Sequence, residues 1–396
     1  MSAVLTDPVA RDATTNASSL LPTTLQPQAT TAPGAAPLAE RPYVESASRP
    51  APGHQPRKGS LTVLIPAYNE AENIAETIQS LHAQTIKPDH IIVVDDCSKD
   101  NTGEIARANG ATVVRPSKNR GCKASALNYG LDYVPDELCL AIDADTTLAP
   151  DAIEKLLPAM SDERFGAACG FVLPRRVQTM WERGRYVEYL YAFEFYKPIQ
   201  DYYGRPMIAS GCFSVYRTAD LRRIGGWPTR TVGEDMDLTW TLYNDGYQVR
   251  YVPEAICYPI EPPTFSFMQK QLTRWSSGFW QCVKVHWKDL LNVPYLRMIV
   301  AVALWDAVFA ATIYFTLLPL LAIFIHPLFL LGYLMDLPSI AGPVLYGAYK
   351  RGETLKALSS IPAFYVLRFV NFYYSLKTFY LEFIARRPLR TFEKGH

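Results

Sequence analysis

Between Leu61 and Asp145, short apolar runs alternate with helix-like segments, and two of the runs end abruptly in paired acids. No other feature narrows the possible folds as much. Leu61-Thr-Val-Leu-Ile-Pro-Ala67 reads as a buried strand, after which Asn69 is placed to cap a helix whose Ile74, Ile78 and Leu81 share one face, with Glu72 completing a capping box. His90-Ile-Ile-Val-Val-Asp-Asp96 is a second strand, and Asn101 to Asn109 suits a short helix closed by Gly110. Thr112 to Arg115 is a third strand and Gly121 to Tyr133 a helix. Leu138 to Asp143 is a fourth strand that stops in Asp143-Ala144-Asp145. Strands that alternate with helices build an α/β fold with a mostly parallel sheet and flanking helices. Ligands of such sheets bind outside the carboxyl ends of the strands, where both acidic pairs are expected.

Past Pro150 the pattern becomes mixed. An aromatic amphipathic stretch runs from Trp181 to Tyr196, a strand is expected near Met207 to Tyr216, and a helix opens at Glu234 and stops at Gly246. A further helix from Phe265 to Leu291 carries Gln271, Arg274 and Trp275. From Met298 to Ile325 the only charge is Asp306, and the stretch exceeds the roughly 20 residues that cross a bilayer core. Asp306 would cost about 2.5–3.5 kcal/mol at a membrane centre, which places it on a polar path or near the interface. Pro327 to Tyr349 is a second candidate span, interrupted by Pro338, Gly342 and Pro343, and Ala357 to Ala385 a third, interrupted by Arg368, Lys377 and Glu382. Three spans is the expectation, although both two and three leave some basic residues against the positive-inside tendency.

Residues 1–58 are rich in Ala, Pro, Thr and Ser without apolar periodicity, the signature of a disordered tail. The tail lacks the apolar core of a signal peptide, so the chain is expected to begin in the cytoplasm. A net charge of +1, from 39 basic and 38 acidic residues, argues against a nucleic-acid partner. Seven cysteines scattered without a Cys-x-x-Cys pair read as reduced thiols rather than a zinc site.

Asp143 and Asp145 at a strand end can hold a hard Mg²⁺ or Mn²⁺ that bridges a diphosphate. About one Asp-x-Asp is expected by chance in a chain of this length, and Asp235-Met-Asp237 is a second match, so the strand context carries the assignment. Asp95 and Asp96 can accept from a base or a ribose, or can simply form an Asx turn. Lys123 can set a point charge near phosphate at a helix start, though an isolated lysine is more often a solvated one. Glu234 and Asp235 in a first helical turn are favoured by the helix dipole; either could also take the proton of an attacking hydroxyl. Gln271 and Arg274 lie one turn apart, with Arg274 suited to diphosphate oxygens, and Trp275 offers a face for a sugar ring or an anchor at lipid headgroups.

The ordered set Asp96, Asp143-Ala-Asp145, Gly233-Glu-Asp235 and Gln271-x-x-Arg274-Trp275, ahead of apolar spans, resembles the family 2 glycosyltransferases of GT-A fold. It is most similar to their membrane synthases of poly-N-acetylglucosamine, hyaluronan, chitin and cellulose. The resemblance implies that Asp96 contacts the nucleotide, that Asp143 and Asp145 hold nucleotide and Mg²⁺ or Mn²⁺, and that Asp235 is the base of an inverting displacement. Gln271, Arg274 and Trp275 would close over diphosphate and acceptor. It further implies a UDP-sugar donor, a saccharide or lipid-linked acceptor and a surrounding of membrane lipids. With so few expected spans, either copies associate as a homo-oligomer, a partner membrane subunit supplies spans, or the product is short or lipid-linked. The expected organisation is a tail over 1–58, a cytoplasmic catalytic domain over 59–263, an interfacial helix region over 264–296, a membrane region over 297–385 and a basic end over 386–396. Two other readings are a non-processive transferase adding one sugar to a lipid and a catalytically inactive membrane subunit.

Overall fold

The computed structural model describes residues 48–310 and 312–389. The expectations for the tail before residue 48, for the Asp306 side chain and for the end beyond Leu389 fall outside them. Residues 48–58 form no regular element.

The first half follows the alternation. Strand β1 (Leu61–Ala67), helix α1 (Ile74–His82), β2 (His90–Asp95), α2 (Thr102–Ala108), β3 (Thr112–Val114), α3 (Lys123–Leu131) and β4 (Leu138–Ile142) give parallel strands in the order β3-β2-β1-β4. Helices cover both faces of such a sheet, which is why these strands read as continuous apolar runs; Val63, Leu64, Ile65, Val93 and Val94 have no exposed surface. Asn69 caps nothing. It sits in the left-handed region at φ 56 and its Oδ1 accepts from the Lys99 N–H at 2.8 Å, while α1 starts later, after Asn73, with no side-chain cap. The capping box of this chain is instead at Thr179 and Glu182, opening α5.

The second half comprises β5 (Thr147–Leu148), α4 (Ala152–Leu156), β6 (Phe165–Val172), α5 (Met180–Tyr191), α6 (Lys197–Tyr202), β7 (Phe213–Arg217), α7 (Thr218–Arg223), α8 (Glu234–Asn244), β8 (Gln248–Tyr258) and α9 (Phe265–Val285). The full sheet runs β3-β2-β1-β4-β7-β6-β8-β5. β7 is antiparallel to β4 and β6, β5 is antiparallel to β8, and β6 pairs parallel with β8, so the mostly parallel expectation becomes a mixed sheet. Antiparallel pairing of Ile142 with Phe213 carries the start of β7 to the carboxyl end of β4. Residues 210–212 therefore arrive beside Asp143.

Helix α9 ends at Val285 rather than Leu291. Two helices beyond it, Val300–Phe324 and Pro327–Lys350, are long and apolar enough to cross a membrane. The third candidate differs. The helix Thr354–Phe379 packs along α5 and α9, buries Ser360, Leu367 and Thr378, and pairs Arg368 with Asp336. Its Arg368 and the Asn371 amide nitrogen thus have partners within the protein.

Candidate active site

The acids at the end of β2 divide. Asp95 is buried; its Oδ2 accepts from Arg115 Nη1 at 2.7 Å and its Oδ1 from the Ser98 N–H at 2.8 Å. Both oxygens thus tie β2 to the segments around it, and a substitution separates this structural role from the expected ligand role. Asp95→Asn is expected to cost about 1.5–3 kcal/mol of stability, the scale of a charged hydrogen bond, while the folded protein keeps its donor KM. Denaturant titration beside initial-rate kinetics checks both. Asp96 stays at the mouth of the sheet, where its Oδ1 accepts from the Arg120 N–H at 2.7 Å, and burial raises its carboxyl above the ordinary range.

Lys123, at the start of α3, is the centre of the site. Its ammonium pairs with Asp143, lies 3.7 Å from Glu234 Oε1 and donates to the Gly211 carbonyl at 3.1 Å. Burial disfavours the charged amine, but Asp143 and Glu234 outweigh it and hold it above the ordinary lysine value. The solvated-lysine alternative therefore falls. Gly211 N–H in turn donates to Asp235 Oδ2 at 3.0 Å. A side chain at Gly211 would start only 2.8 Å from that oxygen, so the close approach requires glycine.

Burial raises the Glu234 carboxyl, with Lys123 opposing and Asp235 adding to the rise. Asp145 is pushed up to about 7, first by burial and then by the neighbouring Asp143 charge. Arg175 donates to its main-chain carbonyl at 2.6 Å. Like charges crowded at a buried strand end are a situation that a hard cation relieves. Among the described residues no three His, Cys, Asp or Glu side chains cluster to hold a metal alone. Two carboxylates with the remaining positions left to phosphate and water is a common Mg²⁺ arrangement, so the residues fit a divalent ion.

Helix α9 crosses the start of α8 at a glycine pair. An added carbon at Gly278 would stand 3.0 Å from the Gly233 Cα, and without side chains the two backbones can meet. The crossing brings the charge of Arg274 to bear on Glu234. Gln271 is engaged inward: its Oε1 accepts from Arg185 at 2.7 Å and its amide lies 3.5 Å from Glu261. Trp275 is 38% exposed, with the Arg185 guanidinium 4.4 Å from its ring centroid. A cavity of about 590 Å³ adjoins the cluster, walled by Arg120, Lys123, Thr231, Glu234, Gln281 and Leu389 among others. Its volume is within the range of nucleotide-sized ligands.

Asp237, the second acid of Asp235-Met-Asp237, is fully buried and clamped by Arg230 at 2.7 Å and His286 at 2.8 Å. That match is half structural. Sequence reasoning missed Gly211, Arg185, Glu261 and His286, each an isolated residue of its type that reaches the site only through the fold.

Residues 62–225 match the glycosyl transferase family 2 domain. Over 223 residues the chain is 30% identical to the poly-beta-1,6-N-acetyl-D-glucosamine synthase of Staphylococcus aureus (strain COL), covering 55% of this chain and 54% of that protein. It is 29% identical over 244 residues to the synthase of the same name from Staphylococcus epidermidis, covering 58% and 59%. The chain thus spans somewhat more than half the length of the curated relatives it matches. Among solved structures, a mannosyltransferase of Pyrobaculum calidifontis, in complex with GDP-Man and Mn²⁺, aligns with a TM-score of 0.54 at 20% identity, covering 88% of this chain and 92% of that one. At that identity the likeness speaks for the fold. Matching domain and matching fold agree with the chemistry collected at the strand ends: residues 62–225 match the glycosyl transferase family 2 domain, on a fold shared with that mannosyltransferase.

Proposed function

We propose that this chain is a membrane-bound inverting glycosyltransferase that moves N-acetylglucosamine from a UDP-sugar to a growing polysaccharide. The observation that carries the reading is the cluster of Lys123, Asp143, Glu234 and Asp235 at the carboxyl ends of the strands, with Arg274 and Trp275 above it on α9. The named activity of the staphylococcal relatives supports the sugar and the product. Asp96 and the cavity beside Arg120 receive the nucleotide, and Lys123 and Arg274 face the diphosphate. Asp143 and Asp145 would hold Mg²⁺ or Mn²⁺, which neutralises charge on the departing diphosphate when bound. Asp235, half-buried and steadied by the Gly211 N–H, takes the proton of the acceptor hydroxyl as that oxygen attacks the anomeric carbon in one displacement. Trp275 supports the acceptor ring.

The packing of Thr354–Phe379 on α5 and α9 favours an even number of membrane crossings between α9 and that helix. Val300–Phe324 and Pro327–Lys350 supply two. Lys350 and Arg351 at the end of the second reach Glu194, just past α5, at 3.0 and 2.5 Å. Two spans rather than three then put Lys350, Arg351, Lys356, Arg386 and Arg387 on the side of the catalytic domain, in line with a cytoplasmic placement. A pore would need more helices than the two spans found among the described residues, which a second copy or a partner subunit would supply.

Membranes containing the protein are incubated with labelled UDP-N-acetylglucosamine and Mg²⁺ or Mn²⁺, and the product is sized. A long, metal-dependent polymer is the expected result. A single sugar in the lipid fraction would replace polymerisation with one-step transfer, and no labelled product would overturn the donor.

A further inference from the structure

α5 contributes a residue to the site that no motif marks. Arg185 has no exposed surface. Its Nη1 pairs with Glu188, its Nη2 donates to Gln271 Oε1 at 2.7 Å and lies 3.4 Å from Met268 Sδ, and its Nε stands 3.6 Å from Glu261 Oε2. The guanidinium carbon lies over the Trp275 indole, 4.4 Å from the ring centroid. Glu261 is held from its other side by the Tyr189 hydroxyl at 2.7 Å, and Glu188 by Asn371 of the helix Thr354–Phe379 at 2.9 Å. A fully buried cation is expensive unless its geometry is fully used. Here one rigid fork fixes the amide of Gln271, the plane of Trp275 and the junction of three helices at once.

We propose that Arg185 is a positioning residue that sets the plane of Trp275 and thereby the platform on which the acceptor sugar rests. The proposal builds on the reading of the chain as a sugar transferase. Arg185 touches neither donor nor reacting atoms; it acts through Trp275 and Gln271. A lysine in its place would keep the charge that Glu188 and Glu261 need, but a point charge cannot bond Gln271 and Glu188 while lying against the indole.

The test uses the full chain in nanodiscs with 5-fluorotryptophan incorporated, the Trp275 resonance being assigned by Trp275→Phe. In Arg185→Lys the Trp275 fluorine resonance is expected to shift, and KM for an oligosaccharide acceptor to rise about tenfold, while KM for UDP-N-acetylglucosamine stays within about twofold. An unmoved resonance, or a moved one with an unchanged acceptor KM, overturns the proposal. If Arg185→Lys does not fold, Glu188→Gln loosens the guanidinium from its opposite side and is read by the same two criteria. If wild-type protein transfers nothing from UDP-N-acetylglucosamine, the functional reading fails, whereas the fluorine resonance still decides whether Arg185 sets the indole.

Discussion

Asp235→Asn is expected to lower the transfer rate by about 10²–10⁴-fold, the contribution of a positioned general base, with KM for the donor near that of wild type. The substitution preserves shape. An asparagine oxygen can still accept from the Gly211 N–H that Asp235 Oδ2 meets at 3.0 Å, so the stability loss is confined to about 1 kcal/mol from the weaker neutral bond. Glu234 is the weaker candidate for the same role: its carboxylate is buried and 3.7 Å from Lys123, whereas Asp235 is half-buried. Initial rates with labelled donor, beside a thermal melt, check the assignment; full activity in Asp235→Asn would remove Asp235 from the role of base.

Lys123→Met is expected to be the most destabilising single change in the site. Lys123 neutralises Asp143 and Glu234 from a position 16% exposed, and stripping one partner from a buried ion pair costs about 3–5 kcal/mol. The direction with pH follows from linkage. Burial already raises the folded-state Glu234 and Asp145 carboxyls and Lys123 opposes that rise, so without the ammonium the folded chain keeps protons there that the unfolded chain releases. The variant's deficit therefore grows as pH rises above the ordinary carboxylate range and shrinks on acidification. Mn²⁺ or Mg²⁺ bound at Asp143 and Asp145 supplies positive charge to the same carboxylates. Saturating metal at about 100 times its Kd adds about 2.7 kcal/mol to any protein that binds it only when folded, and Lys123→Met should gain at least as much as wild type. Melts at two pH values with and without metal read all three effects. Transfer should fall about 10²–10³-fold, as for other preorganised charge stabilisers. A variant as stable as wild type in metal-free buffer at neutral pH would show that Lys123 does not compensate the cluster.

The part of the fold that was legible from residues is the part where local pattern and tertiary role coincide. β1, β2 and β4 are covered on both faces, so their sequences are largely apolar runs, and the acids that end β2 and β4 mark the edge of the sheet where solvent begins. The alternation lapses after Pro150 because β7 is reached through α5 and α6 instead of a single crossover helix. Nothing in Phe213-Ser-Val-Tyr-Arg217 itself states that it runs against β4. The third apolar segment shows the same limit: helix Thr354–Phe379 reads as a span, and nothing local shows that its Arg368 and Asn371 are matched by Asp336 and Glu188 from elsewhere in the chain.

By itself the sequence determined the α/β class, the strand-end location of the acids, and the order of Asp96, Asp143, Asp145, Glu234, Asp235 and the Gln271-to-Trp275 string. Each of these rests on burial periodicity or on neighbours along the chain. Only the tertiary structure decided that Asp95 is spent on Arg115 and Ser98, that Lys123 gathers Asp143 and Glu234, that Gly233 meets Gly278, and that Arg185 lies against Trp275. Apart from the Ser98 bond, these are contacts between residues twenty or more positions apart. Whether a lone charge is solvated or paired depends on which distant groups the fold delivers to it, and no local pattern carries that information.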